Sequence, residues 1–506
     1  MKPSRRKLLQ AAPLAAVPAS APAALAAVNP SDVYTAIGVK PIVNARGTFT
    51  IISGSTMLPE ARAAAEAAAQ RYVHIDELMD AAGAKLAQLT GAEWGLVSCG
   101  CAAAITHATA ACVAGGNPDL HVRIPDLTGF AKDEVIIPTH SRNVYDAAVR
   151  AVGVRVVEVS TPEELELAIG PRTAMIYILA GPGAERGPLA FDALVKIAKP
   201  HNIPILVDAA AEILTIPNVH LQRGATMVTY SGGKCIRGPQ TAGLLLGRKD
   251  LVQAAWVHSA PHHGFARGLK IGKEETIAML TAVEMWTKRD HKAEWRKWLT
   301  WLRTVESSLK GLAHLKLAIH EPTELSNRTP ALQIRWDDKV TGWTGADMER
   351  ILFNGEPRMA TAIAGNGINI VAYMMQEGDA EKIAPRLKEA LGAVRPQVKT
   401  DEAQPVANLD GRWRVKIEFV AGASAHYFDI HDKNGTLTGT HQGDFVSRAI
   451  RGVISGATVD FSSSYAERHG DSLQYRFTGK VQRDGSLSGD LNMGEYRMAK
   501  WSATKV

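Results

Sequence analysis

Four short apolar runs set the organisation of the middle of the chain: Val135-Ile136-Ile137, Val154-Arg155-Val156-Val157, Met175-Ile176-Tyr177-Ile178 and Ile205-Leu206-Val207. They are rich in β-branched residues, continuous rather than alternating, and separated by stretches long enough for helices. Strands buried on both faces read this way, so the pattern predicts an α/β domain built on a doubly wound, mostly parallel sheet. Ligands of such sheets lie beyond the carboxyl ends of the strands, which directs attention to the loops that follow each run.

The flanks read differently. Residues 1–27 are an N-terminal segment considered below, and 28–60 form an arm with too little apolar periodicity for a core element. Helical patterns follow at 59–72 and 76–90, within a large domain that extends to about 270. A smaller α+β domain is expected over 271–395. It contains one or two amphipathic helices between 274 and 312, a strand at Leu332-Gln333-Ile334-Arg335, and a helix from Glu381 to Leu391. Residues 396–408 are polar, aperiodic and flanked by Pro396 and Pro405, as a linker would be. From 409 to 506, alternating segments such as Trp413-Arg414-Val415-Lys416-Ile417 are punctuated by Asn434-Gly435 and Asp484-Gly485. That spacing predicts hairpins in an antiparallel sheet or barrel.

Composition narrows the class. At 46% hydrophobic and 21% charged residues, the 506-residue chain can bury substantial cores and is long enough for two or three domains. Four positive charges of the formal +6 sit at Lys2, Arg5, Arg6 and Lys7, leaving +2 for the remainder. Without a basic run there is little to hold a polyanion, and a nucleic-acid partner is not expected. Arg5-Arg6, an Ala-rich middle with Pro13, Pro18 and Pro22, and Ala24-Leu25-Ala26-Ala27 have the three parts of a cleavable export signal. The paired arginines point to the twin-arginine route, an ordinary secretory signal being the alternative. A periplasmic or secreted protein with no membrane attachment after cleavage follows. Cys99, Cys101, Cys112 and Cys235 match neither a disulfide framework nor structural zinc spacing, so no metal site is expected.

Four loop features carry candidate chemistry. Lys234, in Tyr230-Ser231-Gly232-Gly233-Lys234 at a strand end, could bring its amine to a bound aldehyde past glycines that offer no obstruction. Alone, a lysine in a glycine loop is ordinarily a solvated surface residue. Asp208, in Val207-Asp208-Ala209-Ala210, lies 26 positions earlier at the end of an apolar strand. There it could keep a pyridine nitrogen protonated or simply cap the next helix. Ser98-Cys99-Gly100-Cys101-Ala102 opens a helix with exposed backbone N–H groups suited to phosphate. His140, just past 135–137, could lie flat on a pyridine ring, although a lone histidine at a strand end is more often incidental. Phosphate turn, stacking ring, carboxylate and lysine, in that order, is the arrangement of pyridoxal 5′-phosphate (PLP) enzymes of the aspartate-aminotransferase fold.

Residues 38–392 resemble the selenocysteine-synthase-like branch of that superfamily, which includes L-seryl-tRNA(Sec) selenium transferase and D-glucosaminate-6-phosphate ammonia-lyase. The most specific block is Ser231-Gly232-Gly233-Lys234-Cys235-Ile236-Arg237-Gly238-Pro239-Gln240-Thr241-Ala242-Gly243. Asn44-Ala45-Arg46-Gly47 resembles the branch's arm block, and Gly264-Phe265-Ala266-Arg267-Gly268-Leu269-Lys270 a further shared block. The resemblance implies the PLP-dependent transferase fold (fold type I), with PLP joined to Lys234 as a Schiff base. Cys99, Gly100, Cys101, Ala102, His140, Asp208, Ala210 and Ser231 would surround it. Arg46, Arg267, Lys270 and Arg358 are candidates for substrate or anion binding, with Arg335 as competitor to Arg358. Surface salt bridges are the competing account of Arg267 and Lys270.

The resemblance implies a lyase that eliminates across the α and β carbons of a small amino acid or amino-sugar acid and releases ammonia. Racemisation, epimerisation and selenium- or sulfur-transfer chemistry are the enzymatic alternatives. A PLP-fold binding protein working through its C-terminal β domain is the non-enzymatic one. An export signal in place of a tRNA-binding region makes the ammonia-lyase relatives the better guide. The family also implies a homodimer or higher homo-oligomer.

Overall fold

The computed structural model describes residues 32–393, 404–466 and 472–506. The export-signal reading of 1–27, and positions 394–403 within and beside the linker reading, lie outside them. The described residues bury three separate hydrophobic clusters.

The first cluster surrounds a seven-stranded sheet ordered Trp94–Ser98, Gly243–Gly247, Met227–Ser231, Ile205–Asp208, Thr173–Leu179, Glu134–Pro138 and Arg155–Val159. Gly243–Gly247 pairs antiparallel with both neighbours, and the other strands share one direction. Three of the continuous apolar runs are therefore interior strands, with Ile205–Asp208 buried at every position, whereas the run at 154–157 forms the edge strand Arg155–Val159, of which only Val159 is buried. The helix Cys101–Ala114 packs so deeply that every residue from Ala103 to Ala114 is buried. A helix apolar on all sides has to be interior, and its run of small residues lets it lie close to the sheet.

The second cluster belongs to a five-stranded sheet ordered Val43–Ala45, Met359–Ile363, Gly367–Val371, Ala331–Arg335 and Lys316–His320. Here the structure corrects the reading of the arm. Val43–Ala45 pairs in parallel with Met359–Ile363, and Val43 and Ala45 are buried. Three residues are too short to show a period, so only their tertiary partner reveals them as a core strand. The apolar stretch 274–312 is two helices, Lys273–Lys288 and His291–Leu309; the Asp290 side chain accepts the Ala293 N–H at 2.9 Å and starts the second.

The third cluster fills a closed, eight-stranded antiparallel barrel from Gly411–Glu418 to Met498–Lys505, in which the last strand pairs with the first. Inward positions alternate strictly with exposed ones in Gly411–Glu418. Phe428, Phe461, Phe477 and Trp501 pack within the barrel at ring separations of 5.0 to 6.1 Å. Among these aromatics lies a polar chain: His426 Nδ1 and His441 Nε2 are 2.8 Å apart, and His441 Nδ1 is 2.7 Å from Ser463 Oγ. Asp444 stands 3.4 Å from His426, and Arg448 lies over the Tyr475 ring at 4.7 Å.

Burial, reinforced by the charges of His426 and Arg448, pushes the His441 imidazole down to about 3. Its ordinary value is near 6.5, so the unfolded chain takes up this proton first and stability is lost as pH falls through that interval. Between pH 7 and 4 this imidazole should remove up to about 3 kcal/mol. His441→Gln should flatten the fall of Tm with pH in calorimetry; an equally steep fall in the variant would contradict this account.

Candidate active site

Strands Ile205–Asp208 and Met227–Ser231 end side by side, with Asp208 in register with Thr229. The helix beginning at Cys101 starts against them: Cys101 Sγ lies 3.4 Å from Asp208 Oδ1 and 3.3 Å from Thr229 Oγ1. A cavity of about 410 Å³ opens over this edge. Gly100, Cys101 and Ala102 line it at the helix start, Asp208 and Ala210 at one strand end, and Ser231 and Lys234 at the next. Residues scattered over 135 positions thus meet because the strands leading to them run in the same direction within one sheet and end on the same edge.

Gly100 turns the chain into the helix at φ 105°, a conformation that favours glycine, leaving the first helical N–H groups without intrahelical partners. The glycines before Lys234 do something other than clear a path for its amine. A Cβ on Gly232 would lie 2.7 Å from the Ala242 carbonyl oxygen, and one on Gly233 would lie 2.6 Å from the Gln240 Cα. They let the lysine loop fold back against the Gly-Pro-Gln segment.

Asp208 is the electrostatic centre of the cavity. Tyr177 donates to Oδ2 at 2.8 Å, while the Ala210 N–H at 3.1 Å and Cys101 Sγ approach Oδ1. Burial pushes the carboxyl up, opposed by these hydrogen bonds and by the nearby Lys234 charge. The same burial, with Asp208 alongside, raises Tyr177 and Cys101 well above their usual ranges, so both remain protonated donors. A buried carboxylate with acceptor capacity left and no ion pair gains from a cationic N–H placed in the cavity. The residues present fit PLP: Asp208 for the ring nitrogen, the 100–102 helix start for the phosphate, and Lys234 for the aldehyde.

Several nominated residues lie elsewhere. His140 does not line the cavity; the short turn after Glu134–Pro138 sets its Nε2 3.2 Å from the Leu189 carbonyl and its Nδ1 3.1 Å from Ser141 Oγ. The aromatic side chain of that segment in the cavity wall is Tyr145. Cys99 is half-buried outside the lining. Arg358 donates to the carbonyls of Phe353 and Lys40, and Arg335 to the carbonyls of Ile334 and Ile368 and to Asn369 Oδ1, so both guanidinium groups are engaged outside the cavity. Arg267 and Lys270 are exposed, away from this cavity. Arg46 stacks 4.5 Å over Phe49, which does line it.

Thr48, Phe49, Thr50, Gln240 and Asn327 also line the cavity and were not nominated. Gln240 and Thr48 lie in or beside blocks that the sequence singles out; Asn327 sits in a loop of the other sheet and has no local signature. Asn44 shapes the arm by accepting from the N–H groups of Arg46 and Gly47 and donating to the Gly47 and Gly54 carbonyls. Tyr373 then secures it through a 2.9 Å bond to Thr48 Oγ1.

No family model matches the chain. It is 31% identical over 334 residues to D-glucosaminate-6-phosphate ammonia lyase of Salmonella typhimurium, covering 64% of this chain and 88% of that one. The 5′-C-glycyluridine monooxygenase-decarboxylase of a Streptomyces species is 34% identical over 269 residues, or 50% of this chain and 65% of that one. L-seryl-tRNA(Sec) selenium transferase of Moorella thermoacetica is 27% identical over 286 residues, covering 50% of this chain and 57% of its own length. A solved D-glucosaminate-6-phosphate ammonia-lyase superposes with a TM-score of 0.64 and 28% identity, covering 71% of this chain and 98% of that one.

Asp208→Ala removes the acceptor shared by Tyr177, Cys101 and the Ala210 N–H. It should weaken retention of added PLP by about ten- to a hundredfold, measured by fluorescence titration. Arg358→Ala should leave retention within about twofold, because that side chain bonds only backbone remote from the cavity.

Proposed function

This chain belongs to the PLP-dependent family of D-glucosaminate-6-phosphate ammonia lyase, and from that membership we propose that it releases ammonia from a small amino acid or amino-sugar acid by α,β-elimination. The observation that carries the reading is the single cavity joining Lys234, Asp208 and the helix start at 100–102. When bound, PLP supplies an aldehyde for the substrate amine and an electron sink beside the substrate's α-carbon.

The chain's own residues supply the rest. Among the described residues lining the cavity, Lys234 carries the one amine, and its Nζ is the base that takes the α-proton. The electron pair left at the α-carbon forms the Cα–Cβ double bond as the β-substituent departs with its bonding electrons. Hydrolysis of the resulting enamine by water then gives a keto acid and ammonia. Asp208 would hold the proton on the ring nitrogen of the bound cofactor, and its buried neighbours Tyr177 and Cys101 keep the carboxyl oriented. Thr48, Phe49 and Tyr145 form part of the cavity wall, where they would limit the water that reaches a bound substrate.

The Arg5-Arg6 start and small-residue end of 1–27 support export by the twin-arginine route to the periplasm or outside. A homodimer is supported by the large apolar side chains left exposed between Val33 and Val73, among them Ile51 at 82% and Tyr72 at 102%. Arg267 and Lys270 would then face the partner or its bound anion.

Incubating the purified enzyme with D- and L-amino acids and phosphorylated amino-sugar acids in deuterated buffer tests the reaction. Ammonia with a keto acid is expected from at least one substrate, and Lys234→Ala should lower the rate by at least about a hundredfold. Deuterium at the α-carbon without ammonia would replace elimination with racemisation. In sedimentation the native chain should run as a dimer and the double variant Ile51→Asp, Tyr72→Ser as a monomer; a native monomer would remove the interface.

A further inference from the structure

A second cavity, of about 590 Å³, lies behind the lysine loop and shares no lining residue with the first. Tyr373 separates the two. It lines the second cavity, while its hydroxyl bonds Thr48 Oγ1 at 2.9 Å and Asn327 Oδ1 at 3.3 Å, both residues of the first.

The lining is strongly cationic. Arg237, Arg289, Lys292, Arg296 and Arg328 face Glu294 as the one carboxylate among the described lining residues. Two of the guanidinium groups are built into the wall. Arg289 has a side chain only 13% exposed and donates to the Cys235 and Ile236 carbonyls, and Arg237 donates to Thr56. Arg289 reaches Glu294 at 3.8 Å, whereas Lys292, Arg296 and Arg328 have no ion-pair partner among the described residues. Burial and the neighbouring Arg289 charge pull Arg237 below its ordinary range, as expected where two like charges share the inner wall of the cavity.

The same cavity is walled by Trp286, Trp295, Trp298 and Tyr373. Trp298 and Tyr373 meet edge to face at 6.3 Å, and Trp286 lies 4.4 Å from the His291 ring. Asp290 and Glu294 offset part of this charge, leaving an excess of cations over carboxylates, and flat apolar faces next to such guanidinium groups recognise an organic body that carries phosphate or several carboxylates. None of these cations is needed for cofactor binding or proton movement as derived above.

We propose that this cavity binds a small organic polyanion, a phosphate or polycarboxylate ester or acid with a flat or apolar body, at a site distinct from that of the cofactor. Repulsion among the lining cations is relieved when the anion enters, and Tyr373 is the shared wall through which occupancy can reach Thr48.

The test uses the PLP-loaded protein, with phenyl phosphate, citrate and inorganic phosphate as probes, followed by calorimetry and tryptophan fluorescence. Phenyl phosphate or citrate should bind more tightly than inorganic phosphate, weaken as salt rises, and quench the lining tryptophans. Which organic probe binds more tightly distinguishes a phosphate from a polycarboxylate ligand. Arg296 and Arg328 are both exposed, so Arg296→Ala with Arg328→Ala should fold normally, retain cofactor absorbance, and lose about tenfold or more in affinity. Absence of binding at millimolar probe, affinity unchanged in the double variant, or displacement of the cofactor by the probe would each overturn the proposal. Because binding is read without turnover, failure of the elimination reading leaves this result unaffected.

Discussion

The carboxylate of Asp208 is the constraint around which the large domain is arranged. It is fully buried at the end of a central strand, where charge is costly unless compensated. Tyr177 from the next strand, Cys101 from the buried helix and the Ala210 N–H all donate to it or approach it as donors. Each donor comes from a different segment, so the hydrogen bonds that oppose the effect of burial depend on the sheet order and on the depth at which the helix starts. The lysine loop closes the arrangement by bringing a positive charge close enough to oppose the effect of burial.

Around that centre, the two α/β cores divide the work. The large sheet provides the strand ends and the helix start. The small sheet, through Tyr373 and Asn327, provides a wall and an anchor for the arm that folds over the cavity. The arm is held from both sides: Val43–Ala45 is a strand of the small sheet, and Thr48–Thr50 face the cofactor cavity. The same tyrosine borders the cationic aromatic cavity, so one side chain is common to two binding spaces with opposite demands. One space offers a buried anion to a ring nitrogen, and the other offers unpaired cations to an acidic ligand. No described barrel residue lines either cavity; the barrel has an aromatic core of its own and a histidine chain in which burial lowers the proton affinity of His441.

Much of this was legible in the chain. Continuous apolar runs identified the interior parallel strands because a strand covered on both faces has no polar side to display; Arg155–Val159, at the sheet edge, keeps exposed positions despite a similar run. Lys234, Asp208 and the 100–102 turn were legible because strand ends, glycine turns and helix starts leave local marks. The arginines were not. Arg358 and Arg335 have the right chemistry for a carboxylate, but their donors go to backbone carbonyls and, for Arg335, to Asn369 as well, a commitment that no spacing rule reveals. His140 follows the right strand, yet its turn directs the ring to Leu189, and Tyr145 reaches the wall instead.

Taken by itself, the sequence determined the alternation of strands and helices, the antiparallel character of the C-terminal segment, and the order in which phosphate turn, carboxylate and lysine occur. These depend on short-range hydrophobic periodicity and backbone preference, which neighbouring residues encode. Tertiary structure alone decided that Val43–Ala45 is a core strand, that Cys101 and Tyr177 support Asp208, and that five cations and four aromatic rings share one cavity. Those outcomes depend on which distant segments become adjacent, and adjacency follows from burying all the apolar surfaces at once rather than from any single stretch of chain.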